Sequence, residues 1–147
     1  LVGSSSSSMI LVHSETIESE FVPIRPFRVN AGAVHCYTLM ADGSTKYLSE
    51  IITGDEVAII SEEGNMRSAV VGRLKIERRP FIQLFWNNEN SKEAHTFLQQ
   101  AETVRLIQAL KAPTPITDVE IGMEFVGYSN HSGRHLGVTI SAEVREV

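Results

Sequence analysis

Apolar and polar residues alternate in short runs through this chain, and turn-forming residues interrupt them about every eight to twelve positions from residue 34 onward. That rhythm predicts strands over 34–40 and 45–48 around the turn Ala41-Asp42-Gly43-Ser44, and over 56–61 and 67–77 around Glu62-Glu63-Gly64-Asn65. Pro80 cannot donate to a ladder, so a further strand is expected only at 81–86, closed by the polar stretch 87–92. Residues 92–111 are rich in helix formers such as Leu98, Gln99, Gln100 and Leu106.

An internal repeat argues for strand there instead. Leu48-Ser49-Glu50-Ile51 followed by Gly54-Asp55-Glu56-Val57 recurs 68 positions later as Ile116-Thr117-Asp118-Val119 followed by Gly122-Met123-Glu124-Phe125. The same offset lays 103–107 over 35–39. The expected fold is therefore mainly β, with two related small barrel-like or sandwich-like units in tandem at 34–92 and 93–147. Residues 1–33 are expected to hold strands of a missing N-terminal domain and a connecting loop. The serines Ser4 to Ser8 suggest a native loop.

The 147 residues suffice for one domain or two small modules. The 13 basic against 18 acidic side chains leave a net charge of −5, which argues against a nucleic-acid partner. No apolar run approaches the length that crosses a bilayer, and a lone cysteine, Cys36, excludes an internal disulfide.

The densest chemistry lies in Arg25-Pro26-Phe27-Arg28-Val29-Asn30-Ala31-Gly32-Ala33-Val34-His35. Arg25 and Arg28 can each present a fork to a carboxylate or phosphate, Asn30 adds an amide, and Gly32 would let backbone N–H groups reach an anion. The plainer alternative is a linker whose arginines pair with Glu15, Glu18 or Glu20. Arg78 and Arg79 form either a second anion contact or a solvated corner. His13 could act as a base oriented by Glu15, or be an ordinary half-buried histidine at a strand end. His131 and His135 have metal-like spacing, but the intervening Ser132-Gly133-Arg134 reads as a turn, and no metal site is expected. No Gly-rich strand-to-helix fingerprint for a dinucleotide occurs.

The stretch from Arg25 to His35 resembles the signature of the type II 3-dehydroquinate synthases, and Leu11-Val12-His13-Ser14-Glu15, Gly54-Asp55-Glu56-Val57, Lys75-Ile76-Glu77-Arg78-Arg79-Pro80 and Gly133-Arg134-His135-Leu136-Gly137 are similar to family segments in the same order. The resemblance implies the C-terminal part of a longer cytoplasmic enzyme, or a plastid one in a photosynthetic eukaryote, and a chain inactive without its other half. It further implies NAD as cofactor and a small-molecule substrate, 2-amino-3,7-dideoxy-D-threo-hept-6-ulosonate, oxidatively deaminated and cyclised to 3-dehydroquinate in the shikimate route to aromatic amino acids. Arg25, Arg28, Arg78 and Arg79 would then meet anionic groups, and His13 or His35 would move protons. The competing expectation is a non-catalytic β module that scaffolds a catalytic domain or binds a partner.

Overall fold

One eight-stranded antiparallel sheet organises the molecule. The computed structural model describes residues 1–17, 23, 27–130 and the backbone of 134–146. Strands β1 (Val2–Ser5), β2 (Ser8–Ile10), β3 (Tyr37–Leu39), β4 (Thr45–Tyr47), β5 (Glu56–Ile60), β6 (Met66–Val70), β7 (Phe81–Asn87), β8 (Glu93–Gln99), β9 (Arg105–Leu106), β10 (Thr114–Pro115), β11 (Glu124–Asn130) and β12 (Arg134–Glu146) follow in chain order. The main sheet runs β4-β3-β1-β2-β11-β12-β7-β8, while β5–β6 and β9–β10 form two small hairpin sheets. The fold is mainly β, as the alternation predicted. Its order ends on the edge strands β4 and β8, so no barrel closes among the described residues.

The sheet nevertheless curls back on itself. The Ala33 amide donates to the Phe97 carbonyl at 3.2 Å, and Trp86 Nε1–H on β7 reaches Ser8 Oγ on β2 at 3.3 Å. Strict alternation on β7 and β8 sends Ile82, Leu84, Trp86, Ala94, Thr96 and Leu98 inward. The central strands β2 and β11 are covered on both faces. Ile10 and Phe125 join one core with Leu84, Trp86, Leu98, Val104, Leu106 and Ile116; Met9, Val126 and Tyr128 join a second with Leu39, Ala58 and Ile60. Full burial of a side chain such as Phe125 or Trp86 stabilises by roughly 1.5–3 kcal/mol each, before packing losses and gains.

The repeat is visible in the backbone. Leu48–Glu50 and Ile116–Asp118 are single 3₁₀ turns entered from Tyr47 at φ −63° and Pro115 at φ −54°. The Leu48 amide donates to Cys36 O at 2.8 Å, and 68 positions on the Ile116 amide donates to Val104 O at 2.7 Å. Gly54 (φ +97°) and Gly122 (φ +94°) make the following turns in the left-handed region, where a Cβ is disfavoured. Strand rather than helix also holds at β8 and β9.

Three expectations change. Residues 2–5 and 8–10 are not strands of another domain: β1 pairs with β3 and β2 with β11, because their apolar positions complete this sheet and these cores. Within the serine run, Ser4 and Ser5 end β1, Ser8 opens β2, and only Ser6 and Ser7 form the turn, with the Ser5 and Ser7 hydroxyls bonded at 2.8 Å. The two units share the main sheet, and the division at 92/93 falls in the turn of the β7–β8 hairpin. Finally, the strand expected over 67–77 stops at Val70, and residues 72–80 run exposed and without a ladder.

Candidate functional site

The exposed stretch after β6 forms one wall of a groove of about 1920 Å³. Residues 27–35 line it as well, as does His13, the residue after the bridge between Val12 and Leu106. Of the sequence-selected residues, His13, Arg28, Asn30, Gly32, His35, Arg78 and Arg79 all line this groove. Arg25 lies outside the described residues, as do His131 and the side chain of His135. Among the described residues, no three His, Cys, Asp or Glu side chains converge as a metal site requires.

His13 is half-buried, its amide donating to Arg105 O at 2.9 Å. Burial first, and then the neighbouring Arg105 guanidinium, hold its pKa below the ordinary histidine value, outweighing a backbone hydrogen bond at Ser14. A neutral imidazole at neutral pH is the form that accepts a proton. Its Nδ1 is buried without a hydrogen-bond partner, and Nε2 lies 3.4 Å from Thr16 Oγ1. The orienting carboxylate expected from Glu15 is thus replaced by the Thr16 hydroxyl. Glu15 turns away, and its Oε2 lies 3.7 Å from Arg28 Nε. The plainer reading of Arg28 as an ion-pair partner is observed in this respect, although its side chain remains 41% exposed.

Asn30 and Gly32 have structural duties. The Asn30 amide donates to Gln99 Oε1 on β8, and its Oδ1 accepts the Gly32 N–H at 3.4 Å. Gly32 sits at φ +92°, and a Cβ there would collide with the Phe97 carbonyl oxygen. His35 is exposed and rests edge-on against Phe97, with ring centroids 5.2 Å apart.

Arg79 grips Glu77 with a fork, Nε at 3.1 Å and a terminal nitrogen at 2.7 Å from Oε2, while Lys75 Nζ holds Oε1 at 2.7 Å. These two cations push the Glu77 carboxyl below its usual range. Arg78 also faces the groove. Glu15, Arg28, Lys75, Glu77, Arg79 and Thr103 converge with Asn30 and Gln99 around a smaller polar recess of about 390 Å³. Sequence reasoning missed Glu15, Lys75 and Thr103 as members of this recess. Only the alternation of charge at Lys75, Glu77 and Arg79 hinted at a shared face.

A family model described as the 3-dehydroquinate synthase II C-terminal domain matches residues 1–147. The chain is 47% identical over 146 residues to a 3-dehydroquinate synthase of Methanobrevibacter smithii and 46% identical to that of Methanothermobacter thermautotrophicus, covering 99% of itself and 39% of either relative. A 3-dehydroquinate synthase homolog of Persephonella marina is 47% identical, with 44% of its length covered. The chain thus spans about two fifths of the curated relatives it matches, and no solved structure gives a significant match. With its full length matched and its groove lined by residues 27–35 and the 75–79 segment, the chain belongs to the 3-dehydroquinate synthase II family, as its C-terminal domain.

Proposed function

We propose that this domain supplies the anion-binding wall and a proton-accepting group to a full-length 3-dehydroquinate synthase of type II. The reaction is the NAD-dependent oxidative deamination of 2-amino-3,7-dideoxy-D-threo-hept-6-ulosonate, releasing ammonia, and cyclisation to 3-dehydroquinate. The observation that carries this reading is the convergence of His13, Arg28, His35, Arg78 and Arg79 on one groove in a chain matched end to end by the family. Arg28 and Arg78 are suited to the substrate carboxylate, since guanidinium forks match its geometry. His13, kept neutral by burial and Arg105, is suited to take up a proton within the groove.

The described residues offer no strand–glycine loop–helix unit for a dinucleotide pyrophosphate, so the cofactor, a hydride acceptor when bound, would be held chiefly by the remainder of the full-length protein. The exposed apolar residues Val70, Leu74 and Ile76 beside the groove favour the same arrangement, with the rest of the enzyme covering that edge. The test is NADH formation by the full-length protein given the amino-ulosonate. Activity that falls steeply in His13→Gln and Arg28→Lys while folding is retained supports the reading. Unchanged kinetics in both variants would sink it and leave a scaffolding module.

A further inference from the structure

The run after β6 has the sequence of a strand and no strand beside it. Charged and branched apolar residues alternate from Arg73 through Leu74, Lys75 and Ile76 to Glu77, and no turn or bend interrupts residues 71–80. Lys75 Nζ and an Arg79 guanidinium nitrogen each meet a Glu77 carboxylate oxygen at 2.7 Å, so side chains two apart share a face, as extended backbone requires. Leu74 and Ile76 take the opposite face and are 44% and 72% exposed. Pairing with the preceding hairpin ends at Val71, whose amide donates to Asp55 O and whose carbonyl accepts the Gly54 amide, each at 2.8 Å. Among the described residues, no backbone group of 73–79 is bonded to another backbone group, and pairing resumes only at the Pro80 carbonyl. A strand edge left open beside exposed apolar side chains is a template for a further strand.

We infer that residues 73–79 receive an added β-strand from the part of the full-length protein outside this chain, apolar beside Leu74 and Ile76 and acidic beside Arg73, Lys75 and Arg79. This rests on the reading of the chain as one part of a longer enzyme, and it names what meets the rim of the groove. The chain covers 39% of two of its relatives, so most of their length lies outside it. Four basic residues against Glu77 make 73–79 positive in a chain of net charge −5, and an acidic strand is the complement. A second copy fits worse. Two-fold antiparallel registers centred on residues 74 to 77 set like charges opposite: Arg73 on Lys75, Lys75 on itself, Arg73 on Arg79, or Lys75 on Arg79. Registers centred between those residues lay Leu74 or Ile76 against charges.

Amide hydrogen exchange in the full-length protein, resolved to single residues, reads the added strand directly. A strand bonded along one edge protects every second amide. Either 73, 75, 77 and 79 or 74, 76 and 78 should therefore exchange roughly a hundredfold more slowly than unpaired chain, and dilution should not change this. Lys75→Pro and Ile76→Pro remove neighbouring amides, of which one points at the partner, and neither amide is bonded to backbone within this domain. One of the two variants should speed exchange roughly tenfold or more in a stretch outside residues 1–147.

Fast exchange throughout 73–79, uniform protection without alternation, or protection that fades on dilution would overturn the inference, the last by pointing to a second copy. Acceleration confined to residues 1–147, or none in either variant, would overturn it as well. If neither proline variant folds, Ile76→Asp, a change at an exposed side chain, takes their place with the same expectation. Alternating protection without NADH formation defeats only the proposed reaction. NADH formation with fast exchange in 73–79 defeats only this inference.

Discussion

The two copies of the repeat have the same local backbone and opposite fates. In the second copy, β11 lies in the middle of the main sheet with Phe125, Val126, Gly127, Tyr128 and Ser129 all buried. In the first copy, the equivalent strand β5 pairs only with β6 in a separate hairpin, and just Ala58 and Ile60 are buried. Conversely, β3 and β4 join the main sheet while their counterparts β9 and β10 stand apart. One sequence pattern thus builds a core strand in one place and a groove wall in the other. The local motif fixes the turn; its neighbours decide which hairpin is buried.

Even the details of the turn have diverged in chemistry. The Ile52 amide donates to Asp55 Oδ2 at 3.0 Å, and 68 positions on the Glu120 amide donates to Met123 Sδ at 3.4 Å. Asp55 also binds Lys46 Nζ at 3.0 Å in a part-buried pair, whereas Met123 packs on the core. The carboxylate suits the copy that offers it a lysine, and the thioether the copy that packs against the core.

The largest expected contrast comes from Phe125→Ala against Val57→Ala. The fully buried phenylalanine should cost about 3–5 kcal/mol in urea unfolding, and the half-buried valine about 1 kcal/mol. Equal losses would mean that the copies share one role. Next, Gly54→Ala and Gly122→Ala should each cost about 1–2 kcal/mol, and by the same amount. Both lie in the left-handed region with open space around them, so only backbone strain is added. A much larger loss at Gly122 would show that the turn is set by the core rather than locally.

His13 tests the junction of the copies, since its backbone is bonded to Arg105 of the second while its ring lines a groove walled by the first. Its folded pKa is lowered, so the unfolded chain binds the proton more readily. Its stabilising contribution is complete above the unfolded value of about 6.5 and is lost as pH falls below it. Unfolding free energy measured from pH 7.5 to 5 should therefore decline less steeply in His13→Gln. The smallest effect is expected from Asp55→Asn. The Ile52 amide first, and then Lys46, hold the Asp55 carboxyl below its ordinary value. A slight fall in melting temperature at neutral pH should shrink as pH drops through the folded pKa, where the native carboxyl is itself protonated.

The sequence by itself determined the β character, the repeat and its glycine turns. These rest on alternation, on β-branched and aromatic runs, and on a backbone geometry that glycine adopts freely at Gly54 and Gly122. It also pointed to the Arg28–His35 stretch and to Arg78 and Arg79, which share a groove. It did not determine which hairpins would enter the main sheet, because β5 and β11 carry similar apolar patterns and differ in what lies beside them. Nor could it assign β1 and β2 to this domain, since short strands acquire partners only through long-range pairing with β3 and β11. The pairing of Glu15 with Arg28 rather than with His13, and of Arg79 with Glu77, was likewise decided in three dimensions. A charged side chain's partner is set by which segments the fold brings within a few ångströms, and a linear pattern does not contain that distance.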